Sequence, residues 1–269
     1  MIRHIALCAS LVVTFASVSV APAAADDSAG WTNNCPFTHR SMDDPIVYPG
    51  QPGAAHMHDF QGNTTTDADS TYETLIAGTS TCHMPADRAA YWFPTMMANG
   101  SPRGPREFVV YYRARVRPYS AVRPFPPGLR MIAGDHEATH AQPYEVIDWA
   151  CGDGVERRVP HDCPGEPLVA HVKFPECWDG VHKDSADHMS HMAYPREVGD
   201  RYFCPKSHPV RLPRIKFRIE WSVHTVADIS FSSGPWYTLH GDFINSWRQP
   251  ALRRLTRRCI DANRDCGAL

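Results

Sequence analysis

Eight of the nine cysteines, spread along most of the chain after residue 30, are the feature that most limits its fold. They are Cys35, Cys82, Cys151, Cys163, Cys177, Cys204, Cys259 and Cys266. An even number of cysteines in an exported chain predicts disulfide bonds, and the shortest separations predict the pairs Cys151–Cys163 and Cys259–Cys266. The remaining pairings stay open. The alternative, a zinc site, lacks the tight C-x-x-C pair that is typical of such sites.

The N-terminus has the pattern of a secretory signal. A basic start at Arg3 precedes an apolar run over residues 5–20, and small residues follow up to Ala25. We predict a signal peptide over residues 1–25, cleaved after Ala25, so that the ninth cysteine, Cys8, is removed with it. A membrane anchor is the alternative, but the apolar run is short for a transmembrane helix. We therefore expect a secreted, extracellular protein without stable membrane insertion.

Composition places the remaining chain, residues 26–269, among ordinary globular proteins. Of the 269 residues, 43% are hydrophobic and 21% are charged, and the net charge is −2. These values exclude wholesale disorder and the strongly basic surface that is typical of nucleic-acid binding. Proline and glycine are spread throughout rather than concentrated at a boundary. We therefore expect a single secreted domain over residues 26–269, and we expect it to be a monomer.

Alternating apolar and polar residues predict antiparallel strands. In the clearest run, residues 215–223, the alternation has a period of two, which predicts one buried and one solvent-facing side. The other predicted strands are 108–117, 168–174, 129–133, 144–149 and 236–239. Apolar residues at helical spacing after Pro250 predict one C-terminal helix. We expect a mainly β fold, an antiparallel β-sandwich or jelly-roll-like domain with long disulfide-braced loops; a less regular α+β fold is the alternative.

Histidine-containing motifs are the strongest candidates for a functional site. His56 and His58 are two residues apart, so an extended backbone points both side chains the same way. The same spacing relates His240 to Asp242. Imidazole nitrogens suit zinc or copper, so each pair could contribute to one site for a divalent metal ion.

Two further motifs add candidate ligands. His188 and His191 are three residues apart, which puts them on a common face if the segment forms a helical turn. His208 lies in the fourth motif, between Ser207 and Pro209. Other histidines, His136 among them, lack such context, and we interpret them as surface or structural residues. The predicted metal ligands are therefore His56, His58, His188, His191, His208, His240 and Asp242.

Carboxylates offer a second kind of chemistry. Asp179 follows Trp178, whose ring could stack on a sugar while the carboxylate binds its hydroxyl groups; packing of Trp178 in the core is the alternative. Asp59 and Asp187 lie beside the histidine motifs, where they could transfer protons or orient an imidazole. The predicted catalytic residues are Asp59, Asp187 and Asp179. A glycosidase needs two facing carboxylates, and sequence spacing alone does not identify such a pair.

The histidine motifs occur in a particular order along the chain with Asp44-Pro45-Ile46-Val47, residues 124–135 and residues 174–180. This order resembles the family catalogued as domain of unknown function 1996, which occurs in secreted fungal and bacterial proteins. The resemblance covers nearly all of the chain after the signal but implies no particular activity, because none is established for the family. Some fungal members carry a wall-associated, carbohydrate-binding WSC module, which implies a polysaccharide context. The matching segments include, in chain order, Asp44-Pro45-Ile46-Val47, His56-Met57-His58, residues 124–135, 174–180, 184–195 and 204–210, and His240-Gly241-Asp242.

We therefore expect a secreted enzyme that acts on extracellular or cell-wall polysaccharide through a histidine- and aspartate-rich site. A bound zinc or copper ion would assist hydrolysis or, in the case of copper, oxidation. Two alternatives remain open: a non-catalytic carbohydrate-binding protein and a structural cell-wall protein. The sequence contains no G-x-S-x-G elbow, phosphate-binding loop, H-E-x-x-H motif or dinucleotide fingerprint that would indicate another class of enzyme.

Overall fold

The computed structural model describes residues 29–199 and 201–269, so the predicted signal peptide lies outside the described residues. Strands predominate, and nearly all pair in antiparallel fashion, which confirms the predicted mainly β fold. In chain order the strands are β1 (Gly30–Asn34), β2 (Phe37–Ser41), β3 (His58–Gly62), β4 (Ala90–Pro94), β5 (Met96–Ala98), β6 (Ser101–Arg103), β7 (Glu107–Arg113), β8 (Arg130–Gly134), β9 (Ile147–Cys151), β10 (Leu168–Lys173), β11 (Cys177–Trp178), β12 (Met192–Ala193), β13 (Arg196–Val198), β14 (Arg201–Phe203), β15 (Val210–Arg211), β16 (Arg214–Trp221), β17 (Ile229–Phe231), β18 (Gly234–Pro235), β19 (His240–Ile244) and β20 (Asp265–Ala268).

Helices are short. Helix α1 (Tyr72–Ala77) begins at a capping box, in which the Thr71 hydroxyl accepts from the backbone of Thr74 and Thr74 returns the contact. Helix α2 (Gln249–Leu255) begins with a proline in its first turn and continues as a π-helix, Thr256–Asp261. This confirms the predicted C-terminal helix. Among the described helices, none is long and apolar enough to cross a membrane.

Two sheets face each other and enclose the main core. One has six strands in the order β20-β1-β7-β16-β10-β9, and the other has five in the order β2-β3-β4-β19-β8. Between them, the ring centroid of Tyr91 on β4 lies 5.8 Å from that of Phe217 on β16. Gly241 on β19 is so close to the same ring that an added Cβ would lie 2.9 Å from it. Face-to-face packing of this kind is the predicted β-sandwich.

The outer face of the five-stranded sheet is also covered. Phe60 on β3 and Trp92 on β4 are fully buried there, in a second small core that includes Leu75 of α1 and Ile46 of the loop between β2 and β3. The register puts Phe60 opposite Trp92, and Trp92 opposite Asp242. Polar side chains at the end of this face, where β3 and β19 begin, are therefore shielded from water on several sides.

Most predicted strands are found, with shifted ends. Residues 236–239 are the exception: Trp236–Thr238 is a 3-10 turn, closed by a hydrogen bond from the Thr238 hydroxyl to the carbonyl of Pro235, and the strand begins at His240. The predicted strand 144–149 begins late, at Ile147, because the backbone N–H groups of Val146 and Ile147 both donate to Pro143 and form a turn.

The expectation of a wet face on residues 215–223 is correct only towards its ends, where Lys216 is half-buried and Ser222 is exposed. Along β16 the charged side chains do point away from the core, but Arg218 is 8% exposed and Glu220 is 6% exposed. A guanidinium nitrogen of Arg218 lies 2.9 Å from Glu220 and 3.2 Å from Glu107 on β7. Paired charges can be covered by neighbouring elements where unpaired ones could not.

All eight cysteines of the residues that the structure describes form disulfide bonds. Cys151–Cys163 and Cys259–Cys266 are paired as predicted. The pairs that the sequence left open are Cys35–Cys82 and Cys177–Cys204. Because every one of these sulfur atoms is oxidised, none is available as a thiolate ligand, and the alternative of a cysteine zinc site is excluded.

Candidate metal centre

Three imidazoles converge at one edge of the outer sheet face. His58 is the first residue of β3 and lies opposite Pro94 on β4. His240 is the first residue of β19, and the register of that strand on β4 brings it level with Pro94 from the other side. The ring of His56, in the loop before β3, closes the group. The ring centroid of His56 is 4.3 Å from that of His58 and 5.0 Å from that of His240.

Backbone carbonyls set the tautomer of two of these rings. Nδ1 of His58 lies 2.9 Å from the carbonyl oxygen of Asp43, and Nδ1 of His240 lies 2.9 Å from that of Thr238. A carbonyl oxygen only accepts, so each Nδ1 carries the proton and each Nε2 carries a lone pair. An imidazole held in this way by its second nitrogen is the usual arrangement around a protein-bound metal ion.

Burial keeps these imidazoles neutral. His58 is fully buried, and His240 is 5% exposed. Desolvation, with repulsion from the neighbouring imidazoles, lowers the pKa of His58 well below its usual value and that of His240 to about 3. Desolvation and then His136 lower the pKa of His56 to about 4. Neutral imidazoles are the form that coordinates a metal ion.

The site has buried polar atoms to which the described residues offer no hydrogen-bond partner. Nε2 of His56 and Nε2 of His58 are buried without a hydrogen-bond partner. Leaving a buried polar atom unpaired costs about 1–3 kcal/mol, and native structures rarely retain several together. Two converging ring nitrogens without partners therefore indicate a missing partner that accepts electron pairs, and a metal cation fits that description.

The spacing of the ligand atoms fits one ion. His56, His58 and His240 each offer a ligand atom, and these atoms lie within 4.8 Å of one another. Ligand atoms around tetrahedral zinc are about 3.4 Å apart, so small side-chain rotations suffice to close the site. An ion bound at about 2.1 Å lies about 3.2 Å from an imidazole centroid, so two rings on one ion have centroids at most about 6.4 Å apart. The largest separation in this triad, His58 to His240, is 5.8 Å.

A carboxyl pair lies beside the imidazoles. Oδ2 of Asp242 is 3.8 Å from Nε2 of His240, and both carboxyl oxygens of Asp242 are buried without a hydrogen-bond partner. Asp242 and Asp44 also form a group with His58 in which the ligand atoms lie within 4.8 Å. Desolvation, then the charge of Asp44, raises the pKa of Asp242 well above its usual value. The site therefore holds a carboxyl group whose affinity for a proton is raised by burial.

The other three predicted ligands are bound elsewhere by hydrogen bonds. The segment around them forms turns, not the helical turn that would align His188 with His191. Nε2 of His191 donates to the carbonyl of Arg130 at 2.7 Å, and its Nδ1 lies 2.9 Å from the Ser185 hydroxyl, so both ring nitrogens are already engaged by the protein. His208 is used in the same way, between Ser190 and Ser207.

His188 has a different position. Its Nδ1 lies 2.9 Å from the carboxylate of Asp184, and its ring is near enough to Asp44 to lower the pKa of that carboxyl group. It therefore borders the carboxyl pair without joining the three imidazoles. Desolvation is the larger effect and leaves the pKa of Asp44 above its usual value.

Each of the three predicted catalytic aspartates is engaged in hydrogen bonds or an ion pair with other residues of the fold. Asp59 points to the other face of β3, where it binds Arg40 and accepts from Thr95 at 2.8 Å. Asp179 accepts from the backbone of Val181 and His182 and closes a turn. Asp187 accepts from Ser185 and from the backbone and hydroxyl of Ser190; these bonds lower its pKa.

The indole of Trp178 donates to the carbonyl of His182 at 2.6 Å and packs on the main core.

Two residues of the site escaped the sequence analysis. His136 follows β8, and its ring centroid lies 5.9 Å from that of His240. It stands alone in the sequence, and only its position directly after a conspicuous motif, residues 124–135, could have drawn attention to it. Asp44 lies in the Asp44-Pro45-Ile46-Val47 motif, where the obvious interpretation is a residue that closes a turn. One of its carboxyl oxygens does accept from the backbone N–H groups of Ile46 and Val47.

A second cluster with ligand-like spacing is an ion-pair network. Asp148, Glu156 and His171 lie on the outer face of the six-stranded sheet, with ligand atoms within 4.8 Å. However, Nζ of Lys173 is 2.5 Å from Oδ2 of Asp148, and Nδ1 of His171 is 2.7 Å from Oδ1. A lysine ammonium at this distance already neutralises the carboxylate and repels a cation.

Comparisons with known proteins agree with the motif order. No curated protein and no solved structure matches the chain. One family does: the family described as Domain of unknown function (DUF1996) matches residues 44–247, a stretch that contains Asp44, the three converging histidines and Asp242. The matched stretch is more than half of the 269 residues. The chain therefore belongs to the DUF1996 family.

Proposed function

We propose that this protein is a secreted, metal-dependent hydrolase that acts on extracellular or cell-wall polysaccharide. The observation that carries the proposal is the arrangement of His56, His58 and His240: three buried or half-buried neutral imidazoles converge, and two of them are oriented by backbone carbonyls so that Nε2 faces inward. Zinc is the ion we expect, because three imidazoles with one open position form a common catalytic zinc site.

The chain's own residues would do the following. A divalent ion held by the three imidazoles would supply Lewis acidity at a water or at a substrate oxygen. Asp242 would accept a proton from the attacking water as the water oxygen bonds to the electrophilic carbon of the substrate. The same carboxyl group would return that proton to the leaving oxygen as the carbon–oxygen bond breaks. Asp44 beside it raises the proton affinity of Asp242, which suits this exchange.

Several features support a carbohydrate substrate outside the cell. Four disulfide bonds fit an oxidising compartment, in agreement with the secretory signal that the sequence predicts. Trp236 and Tyr237 are half-exposed, pack edge to face with centroids 5.4 Å apart, and lie in the 3-10 turn that leads to His240. Aromatic faces beside a polar site are well suited to stack on sugar rings.

The first experiment is metal content, measured by mass spectrometry on protein purified without a histidine tag. We expect about one zinc per chain, lost in the His56→Ala/His58→Ala variant. The matched control is His83→Ala/His140→Ala, which removes two exposed histidines outside the centre and should leave metal content unchanged. The zinc protein is then assayed for product release from a panel of polysaccharides.

The outcomes separate the alternatives. Release of reducing ends or of ester substituents, absent in His56→Ala/His58→Ala, would support the hydrolase. One copper ion per chain, found together with oxidised products, would mean that the reaction is an oxidation and not a hydrolysis. Polysaccharide binding without any product would favour a carbohydrate-binding protein, and absence of every metal after soaking with each ion would overturn the metal centre.

A further inference from the structure

His136 stands at the open side of the metal centre. It is exposed, whereas His58, His240 and Asp242 are buried and His56 is intermediate. Exposure therefore increases from the bottom of the site to its mouth, and His136 is the outermost of the four imidazoles. His136 is therefore the imidazole of the group that is nearest to solvent.

A buried glutamine holds the backbone next to His136 in place. Oε1 of Gln142 accepts from the backbone N–H of Asp135 at 3.0 Å. Its Nε2 donates to the carbonyls of Tyr237 and Leu239 at 2.8 and 2.7 Å. The residue before His136 is thus tied to the residue before His240. Gly134, opposite His240 in the sheet, allows this close approach, because a Cβ there would lie 2.9 Å from the carbonyl oxygen of Leu239.

The ring of His136 is within reach of the same ion. Its centroid lies 5.9 Å from that of His240 and 6.4 Å from that of His56. Two imidazoles on one ion have centroids at most about 6.4 Å apart and about 5.3 Å apart in tetrahedral geometry. Both separations therefore become those of common ligands after a rotation of the exposed side chain, with no change in the sheet.

We propose that His136 is a fourth, exchangeable ligand that closes the metal centre at rest and yields its position to substrate. This inference rests on the metal centre of the proposed function. A four-imidazole site has no open position, so His56, His58 and His240 hold the ion while His136 controls access to it. Strand positions and backbone carbonyls fix the rings of His58 and His240, whereas the ring of His136 is free to rotate because it is exposed.

The test compares His136→Ala with His140→Ala, an exposed histidine in the same loop. Zinc affinity is measured by competition with a chelating dye. We expect His136→Ala to lower the affinity at least about tenfold, since even residues that only support a ligand have effects of that size. Cobalt-substituted protein is then titrated with azide and followed by absorption. Azide should bind more tightly to His136→Ala, because its coordination position is open, than to His140→Ala or to the wild type.

The outcomes distinguish the two proposals. If the wild type binds zinc, and His136→Ala matches His140→Ala in both zinc and azide affinity, His136 is not a ligand and the inference is overturned while the metal centre stands. If neither the wild type nor any variant binds a metal, the centre itself is wrong. If metal binds as expected but no substrate is turned over, the hydrolase is overturned and the role of His136 in coordination is still decided by the azide titration.

Discussion

Nε2 of His240 lies 3.8 Å from Oδ2 of Asp242, two residues further along the same strand. The strand period of two makes this pair possible, and the burial of both side chains gives it chemical weight. The lone pair of the imidazole faces a carboxyl group that has no hydrogen-bond partner on either oxygen. A cation held by the imidazoles would therefore lie close to this carboxyl group.

Asp242→Asn should separate catalysis from metal binding. The amide keeps the shape of the side chain but cannot exchange a proton, so we expect kcat to fall about 10²–10⁴-fold, the usual contribution of a general acid–base residue. Zinc content should stay near one per chain, because the three imidazoles are untouched. Steady-state kinetics and metal analysis on the same preparation check both expectations. Unchanged kcat would show that Asp242 transfers no proton.

Gly241→Ala should damage the fold and the metal centre together. Its Cβ would lie 2.9 Å from the ring of Phe217 and 3.1 Å from Val172, both in the packed core between the sheets. Overpacking of this kind costs about 1–3 kcal/mol of unfolding free energy. Because Gly241 separates His240 from Asp242, any shift of β19 also moves the centre, so zinc affinity should fall as well.

Gly104→Ala is the control for this prediction. An added Cβ there meets only the end of the Arg40 side chain, at 3.6 Å. Chemical denaturation should show little change in its unfolding free energy, and its zinc affinity should equal that of the wild type. A Gly241→Ala protein as stable as Gly104→Ala would contradict the tight contact between the two sheets.

The carboxyl group of Asp87 should make the folded protein less stable as the pH rises. Its carboxyl group is fully buried and accepts from Asn33 and Tyr91; desolvation raises its pKa to about 7. The folded state therefore holds the proton more tightly than the unfolded state, where the pKa is about 3.8. This contribution to stability is complete below about pH 4 and is lost as the pH rises through about 7.

The Asp87→Asn variant isolates that contribution. The difference in unfolding free energy between the wild type and this variant should grow in favour of the wild type by about 2–3 kcal/mol from pH 8 to pH 5, since each pH unit inside the window contributes about 1.4 kcal/mol. Denaturation curves at several pH values measure it. Parallel pH profiles for the two proteins would show that Asp87 stays ionised in the fold.

Local patterns predicted much of the secondary structure. Alternation over residues 168–174 and helical spacing after Pro250 both correspond to elements of the right type, because each depends on which side chains share a face. Where a turn competes, alternation misleads: Trp236–Thr238 alternates like a strand but is closed into a 3-10 turn by the Thr238 hydroxyl.

The same local patterns predicted only part of the candidate site. The spacing of His56 to His58 and of His240 to Asp242 indicates that each pair shares a direction, and both pairs meet at the centre. The spacing of His188 to His191 looks equally suggestive, yet the ring nitrogens of His191 are used by Arg130 and Ser185. Hydrogen-bond partners distant in the chain decide which imidazoles keep a lone pair.

By itself, the sequence determined a mainly β, disulfide-bonded chain with two short-spaced ligand pairs, since all of these follow from neighbours a few residues apart. The tertiary structure decided that β4 lies between β3 and β19, and this brings His58 and His240 together over Pro94. It also decided that Gln142 ties His136 to the same edge. Which strands become neighbours depends on packing across the whole core, and no local spacing encodes that choice.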